Sequence, residues 1–263
     1  MRAAHAFQPP AFSLRCVPVW RRNFLVWKKL AIPSVLGNLL DPMFYMFGLG
    51  YGLGSLIAEV EGSPYINFVA AGTVCYSTMN SATFEALYSA FSRMHVQKTW
   101  EAMLNAPLNL DDVLFGEFFW AASKSLLSGV AILLIIWTLG LADSFWLSLW
   151  IIPIVILIGL CFSGLGLVAT AVSPSYEFFL YYFTLLITPM VILSGVFFPV
   201  SQLPLLLQHV SAILPLSHAI MLVRPLTEGV IPANAARHVL VLLGYGCVGF
   251  YIALALTRRR LLK

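Results

Sequence analysis

Six long apolar stretches, each unbroken by alternating polar residues, constrain what this chain of 263 residues can fold into. Hydrocarbon offers no partner to a backbone N–H or C=O, so a segment that crosses it must be a helix or part of a closed barrel. Barrel strands alternate in twos and these runs do not, which excludes the barrel. Charged residues make up 10% of the chain, against about 25% in a soluble domain. The sequence therefore predicts an all-α polytopic membrane protein. With roughly 20 apolar residues needed per crossing, six transmembrane helices are expected, over about 34–57, 65–90, 114–140, 145–171, 178–199 and 236–257, as one domain over 1–263. Asp41-Pro42 and the glycines Gly48, Gly50, Gly52 and Gly54 fall in the first span and suit close helix packing.

Basic residues orient such a bundle, because cytoplasmic loops collect Lys and Arg. Arg2, Arg15, Arg21, Arg22, Lys28 and Lys29 precede the first span; Arg93 and Lys98 follow the second; Arg258, Arg259, Arg260 and Lys263 end the chain. The opposite side receives Arg224 and Arg237, beside Glu59, Glu61, Asp143 and Glu228. Both termini are thus expected in the cytoplasm, with no cleavable signal peptide. The topology accounts for the net charge of +4 and leaves no reason to invoke a nucleic acid. Cys16, Cys75, Cys161 and Cys247 form no C-x-x-C pair, so neither a metal site nor a disulfide framework is expected.

Outside the spans, three segments carry pattern. Residues 17–31 read as an interfacial helix, with Trp20, Phe24, Trp27 and Ala31 on one face and Arg21, Arg22, Lys28 and Lys29 on the other. The plainer alternative is a basic flank that orients the first span. In the loop over about 91–112, Val96, Trp100 and Met103 fall at helical spacing on one face. That face suits docking to a partner, and Trp100 also suits the headgroup layer. Pro107 ends this short helix, and Asn109 to Asp112 begin the next. The outward stretch over about 199–234 is both apolar and proline-rich, with Pro199, Pro204, Pro215, Pro225 and Pro232. Short re-entrant helices broken by those prolines fit it better than a hydrated loop.

Charge inside a span costs ~2.5–3.5 kcal/mol on insertion scales, which singles out Glu85, Glu117 and Lys124. Glu117 and Lys124 share a helix face, and a link from Glu85 to Lys124 would lower the cost of burying both. The pair reads either as a packing clamp or as a polar lining for a passing head group. Tyr181, Tyr182 and Phe183 precede a kink expected at Pro189, where they suit sugar stacking or ordinary packing. No phosphate loop, H-E-x-x-H or G-x-S-x-G motif occurs. The Asp111-Asp112 pair, a lone acidic candidate for catalysis, is more simply a helix start. The chain is not expected to be an enzyme, so energy would come from another subunit or an ion gradient. No inverted repeat supports the gradient-driven carrier.

In its order of features the chain resembles the permease subunit of type 2 ABC exporters, and the stretch Leu193-Ser-Gly-Val-Phe-Phe-Pro-Val-Ser-Gln-Leu-Pro204 is similar to that family's signature. The runs Phe84-Glu-Ala-Leu-Tyr88, Arg93-Met-His95, Lys98-Thr-Trp-Glu-Ala-Met103, Trp20-Arg-Arg-Asn23, Trp27-Lys-Lys29 and Arg258-Arg-Arg-Leu-Leu262 resemble its nodulation branch, which exports lipo-chitin oligosaccharides. The resemblance implies a bacterial inner-membrane permease homodimer, with a separate ATPase subunit holding ATP and Mg²⁺ and no cofactor on this chain. It further implies that Val96, Trp100 and Met103 couple to the ATPase, and that Pro199, Pro204 and Pro215 shape an outer gate. Trp20, Phe24 and Trp27 would be interfacial anchors in membrane lipid. Related permeases export other polysaccharides, lipid-linked glycans and drugs.

Overall fold

The computed structural model describes residues 7–57 and 59–261. Arg2, Leu262 and Lys263, used above, lie outside the described residues. Two helices joined at 84° come first, α1 (Cys16–Lys28) and α2 (Ala31–Gly52). Pro33 falls in the first turn of α2, where a missing N–H has no intrahelical partner to lose. A two-stranded hairpin, β1 (Glu59–Val60) and β2 (Ser63–Pro64), then turns through Glu61 and Gly62, both at positive φ as a tight hairpin turn requires.

The hairpin feeds α3 (Tyr65–Phe84), which runs on through two π-helical turns, Glu85–Ser89 and Ser92–Val96. Lys98 adopts a left-handed φ of 52° and breaks this helix from the short α4 (Thr99–Leu104). Next come α5 (Leu110–Thr138), the single turn α6 (Phe145–Ser148) and α7 (Ile151–Val172). The fifth apolar stretch is α8 (Glu177–Tyr182), a π turn (Phe183–Ile187) and α9 (Thr188–Leu193). Proline removes an N–H and crowds the preceding turn, and the wider π turn accommodates Pro189. Two helices at 84°, α10 (Leu205–Ser211) and α11 (Pro215–Thr227), precede the long α12 (Ala235–Leu261).

By length and composition, three helices among the described residues can cross a membrane: Leu110–Thr138, Phe145–Val172 and Ala235–Leu261. The number rises to five if each bent pair makes one crossing. α3 is not among them, and its surroundings explain why. It is buried on nearly every side, so it is wrapped by protein and can carry Thr73, Ser77, Thr78, Ser81 and Thr83. Thr73 and Thr78 donate their hydroxyls to the carbonyls of Val69 and Val74, which meets the cost of burying them.

A central cluster joins α3, α5, α7 and α11 through Met79, Ile132, Ile158, Phe162 and Ile220. A second fills the basic end with Leu87, Phe91, Trp100, Leu114, Phe179 and Leu254. α7 and α12 cross closely: a Cβ added to Gly164 would stand 2.7 Å from the Gly246 carbonyl oxygen, and one on Gly249 would stand 3.0 Å from the Gly164 carbonyl carbon. Close backbones of this kind supply the packing on which helix association in lipid depends.

The earliest described residues meet the end of α12. Tyr251 donates its hydroxyl to the Phe7 carbonyl at 2.9 Å, and Arg258 donates to the Gln8 carbonyl at 2.6 Å. Arg258 also pairs with Asp111, which accepts the Ala11 N–H at 2.9 Å. Arg260 donates to the carbonyls of Ala171 and Ser173 at 2.9 and 2.7 Å, capping the end of α7.

Candidate functional site

α3 and α5 lie side by side, and their ionisable residues meet at the basic end. Lys124 Nζ donates to Glu85 Oε2 at 2.8 Å, so the pair suggested by the sequence is in contact. The centre of the network is Arg93. Its Nε donates to Glu117 Oε1 and its Nη2 to Glu85 Oε1, both at 2.9 Å, and Nη2 also contacts Glu117 Oε2. Trp120 Nε1 donates to Glu85 at 2.7 Å and Trp100 Nε1 to Glu117 at 3.1 Å. Both carboxylates are buried, and each receives donors from more than one helix. A planar guanidinium serves this better than an ammonium, since its fork reaches two carboxylates at once.

By its place in the sequence Arg93 reads as a loop charge, since the apolar stretch that predicts the helix ends at about residue 90. The π turns carry it to Val96 and fit one more residue into each turn. The available signal was Glu85 and Glu117: two buried carboxylates facing Lys124 alone require a second cation.

Three site residues, Val96, Trp100 and Met103, do not share the exposed face expected of them. The left-handed Lys98 separates Val96 from α4. Val96 is 63% exposed while Trp100 is 1% exposed, and Met103 is half-buried against the second cluster. Trp100 turns inward because its indole N–H has a buried carboxylate to satisfy. The exposed side of this region is Val96, Gln97, Lys98, Glu101 and Ala102.

Trp20, Phe24 and Trp27 likewise pack on protein. Their rings lie 6.4, 6.3 and 5.9 Å from that of Trp120, and Trp20 Nε1 donates to Ser123 at 3.0 Å. Opposite them α1 exposes Val17, Arg21, Leu25 and Lys28. The Asp111-Asp112 pair is structural: Asp111 binds Arg258, and Asp112 accepts the Asn109 N–H at 3.0 Å to start α5.

At the other end, Pro199 precedes a single 3₁₀ turn, Pro204 precedes α10, and Pro215 opens α11. α10 exposes Leu205, Leu206 and Val210. Arg224 of α11 lies 3.6 Å from the Phe68 ring centre and donates to the Gly195 carbonyl at 2.6 Å, joining three elements. Burial raises the Glu228 carboxyl above its ordinary pKa, and nearby Arg224 offsets part of the rise. His218 and His238 meet Nδ1 to Nδ1 at 2.7 Å, between α11 and α12. Between α2, α3 and the fifth apolar stretch lies a hollow of about 310 Å³ lined by Tyr45, Tyr76, Asn80, Phe183, Thr188 and Phe197. Tyr76 donates to Asp41 there at 3.0 Å, so Asp41 stands beside an aromatic wall. Tyr181 is exposed, and Tyr182 faces inward with Phe183.

A bundle of apolar helices with a buried ion network at one end and broken helices at the other has the make-up of a polytopic membrane protein. Residues 16–226 match the ABC-2 type transporter family, and the chain belongs to it. Among its relatives is nodulation protein J of Rhizobium meliloti (strain 1021), 46% identical over 96% of both chains. Nodulation protein J of Rhizobium leguminosarum bv. viciae is 48% identical over 97% of this chain and 98% of its own. More distant is the inner membrane transport permease YadH of Escherichia coli (strain K12), 24% identical over 77% of this chain and 78% of its own. The chain is therefore an ABC-2 permease, a multi-pass membrane protein of a kind that is not an enzyme on its own and that works with an ATPase.

Proposed function

We propose that this chain is the transmembrane subunit of an exporter that moves a lipo-oligosaccharide of the Nod-factor class outward across the bacterial inner membrane. What carries the reading is 46–48% identity to nodulation protein J over nearly the whole chain. In this reading residues 1–263 form one domain with six crossings. α3 counts as the second crossing although its polar face hides it from hydropathy, and α10–α11 are re-entrant. Both termini are cytoplasmic, in keeping with the basic residues gathered at that end. Two copies face each other above two copies of a separate ATPase related to nodulation protein I, which binds the ATP and Mg²⁺.

α4 is the coupling helix. Val96 and the exposed edge of α4 meet the ATPase, Met103 backs them, and Trp100 roots the helix through Glu117. Movement of the ATPase pair then reaches α3 and α5 through the ion network, and Pro199, Pro204 and Pro215 set the hinges of the outer gate. Transport follows only if the substrate binds the two resulting states unequally. The aromatic hollow beside Asp41 suits a glycan head, and the apolar helix faces beside it suit an acyl tail.

The test is co-purification of an ATPase with the solubilised protein, together with export in inverted vesicles. A stoichiometric nucleotide-binding subunit and ATP-dependent uptake of lipo-oligosaccharide are expected. Uptake without an ATPase, abolished by Glu85→Gln, would favour an ion-gradient carrier. Uptake of another glycan in preference would keep the permease and replace its substrate.

A further inference from the structure

A second hollow opens at the basic end, between α1 and the π-helical end of α3. It measures about 380 Å³, and its lining includes Arg22, Arg93, Ser89, Ser92, Gln97 and Tyr88. Charge is unbalanced here. Arg22, Arg93 and Lys124 surround two carboxylates, Glu85 and Glu117, and the ion pairs engage only Arg93 and Lys124. Arg22 is half-buried, and among the described residues its side chain donates only to Asn23 Oδ1, at 3.0 Å. Among the described residues no carboxylate stands within 4.0 Å of it. A partly buried guanidinium without an anion is costly. Arg93, which also lines the hollow, spends Nε and Nη2 on the carboxylates, and among the described residues its Nη1 has no hydrogen bond.

We propose that this hollow is a binding site for a phosphate group, held between Arg22 and Arg93 with Ser89 and Ser92 as hydroxyl donors. Guanidinium forks match phosphate oxygens in pairs, and two of them beside hydroxyls recur as its chemistry. Its walls favour the phosphate of a lipid head group over the free ion. Arg22 is shared with an adjoining surface hollow of about 360 Å³, whose other walls are Val17, Pro18, Arg21 and Leu25. A ligand reaching from one to the other would place an anion in the first and apolar chain along the second. The site is independent of what the protein transports. It touches the coupling region all the same, since Arg93 holds Glu117 and Glu117 holds Trp100 of α4.

Native mass spectrometry of the detergent-solubilised full chain tests this, with phosphatidylglycerol and the phosphate-free diacylglycerol of the same acyl chains titrated in turn and inorganic phosphate as competitor. Preferential retention of one phosphatidylglycerol per chain is expected. Arg22→Gln should weaken it about ten-fold, as for one lost charge-assisted bond. Lys28→Gln, on the exposed side of the same helix, should leave it unchanged. Ser92→Asp, which places an anion inside the hollow, should also expel the lipid while keeping or raising thermal stability. Displacement by millimolar phosphate would uphold the anion site and assign it to the free ion. Equal retention of both lipids, equal losses in Arg22→Gln and Lys28→Gln, or lipid retained by Ser92→Asp would each overturn the proposal.

Discussion

At Arg93 one side chain ties the end of α3 to α5, and through Glu117 it fixes Trp100 of α4. Removing it would leave Glu85 and Glu117 buried with Lys124 as the one cation among the described residues still ion-paired to either. Arg93→Gln is expected to cost about 3–5 kcal/mol, read as a lowered unfolding midpoint in detergent. Arg93→Lys should recover only part of this, since an ammonium cannot bridge two carboxylates as a fork does. Trp100→Phe keeps one aromatic ring but removes the indole N–H together with the pyrrole half of the buried bicycle. A loss of about 1–3 kcal/mol is expected, with weaker ATPase co-purification at unchanged expression. The sequence revealed the Glu85–Lys124 contact because charge in an apolar run is conspicuous. It concealed Arg93 because a cation near a span end reads as topology, and it misjudged Trp100 because spacing alone cannot tell an inward face from an outward one.

The elements follow hydropathy where a helix meets lipid and escape it where a helix meets protein. α5, α7 and α12 were legible within a few residues. α3 was found as a stretch, but its π turns follow from contacts that no local pattern records. α7 and α12 depend on glycine at their crossing, so Gly164→Val should force them apart, with a clear fall in folded yield and thermal midpoint. Another junction is sensitive to acid. His218 Nε2 lies 3.1 Å from the Ala212 carbonyl and so acts as donor there, which leaves its Nδ1 to accept from His238. The pair tolerates one extra proton, on His238, but not two, and Arg237 adjoins it on α12. Acidification well below about pH 6.5 should loosen α11 from α12, read as faster amide exchange over Pro215–Thr227. His238→Phe should abolish that pH response.

On the scale of the whole molecule, the ABC-2 fold separates a dense, ion-paired basic end from an opposite end built of short helices and turns. The sequence disclosed that polarity through its basic residues, whereas the bends at 84° came only with the structure. Reporter fusions after residues 142 and 230 are expected to face outward, and fusions within residues 91–98 to face the cytoplasm. A reversed pattern would invert the proposed orientation.

The meeting of residues 7–11 with Asp111, Tyr251 and Arg258 imposes an order on biosynthesis. A membrane chain is inserted from its N-terminal side, yet two of this early segment's partners, Tyr251 and Arg258, lie on α12, which follows every other described helix. Until α12 leaves the ribosome, Asp111 at the start of α5 lacks its Arg258 partner, and the carbonyls of Phe7 and Gln8 lack the Tyr251 and Arg258 donors that fix them. The basic face therefore gains these ties only once α12 is made, when Tyr251 and Arg258 fasten residues 7 and 8 like a clasp.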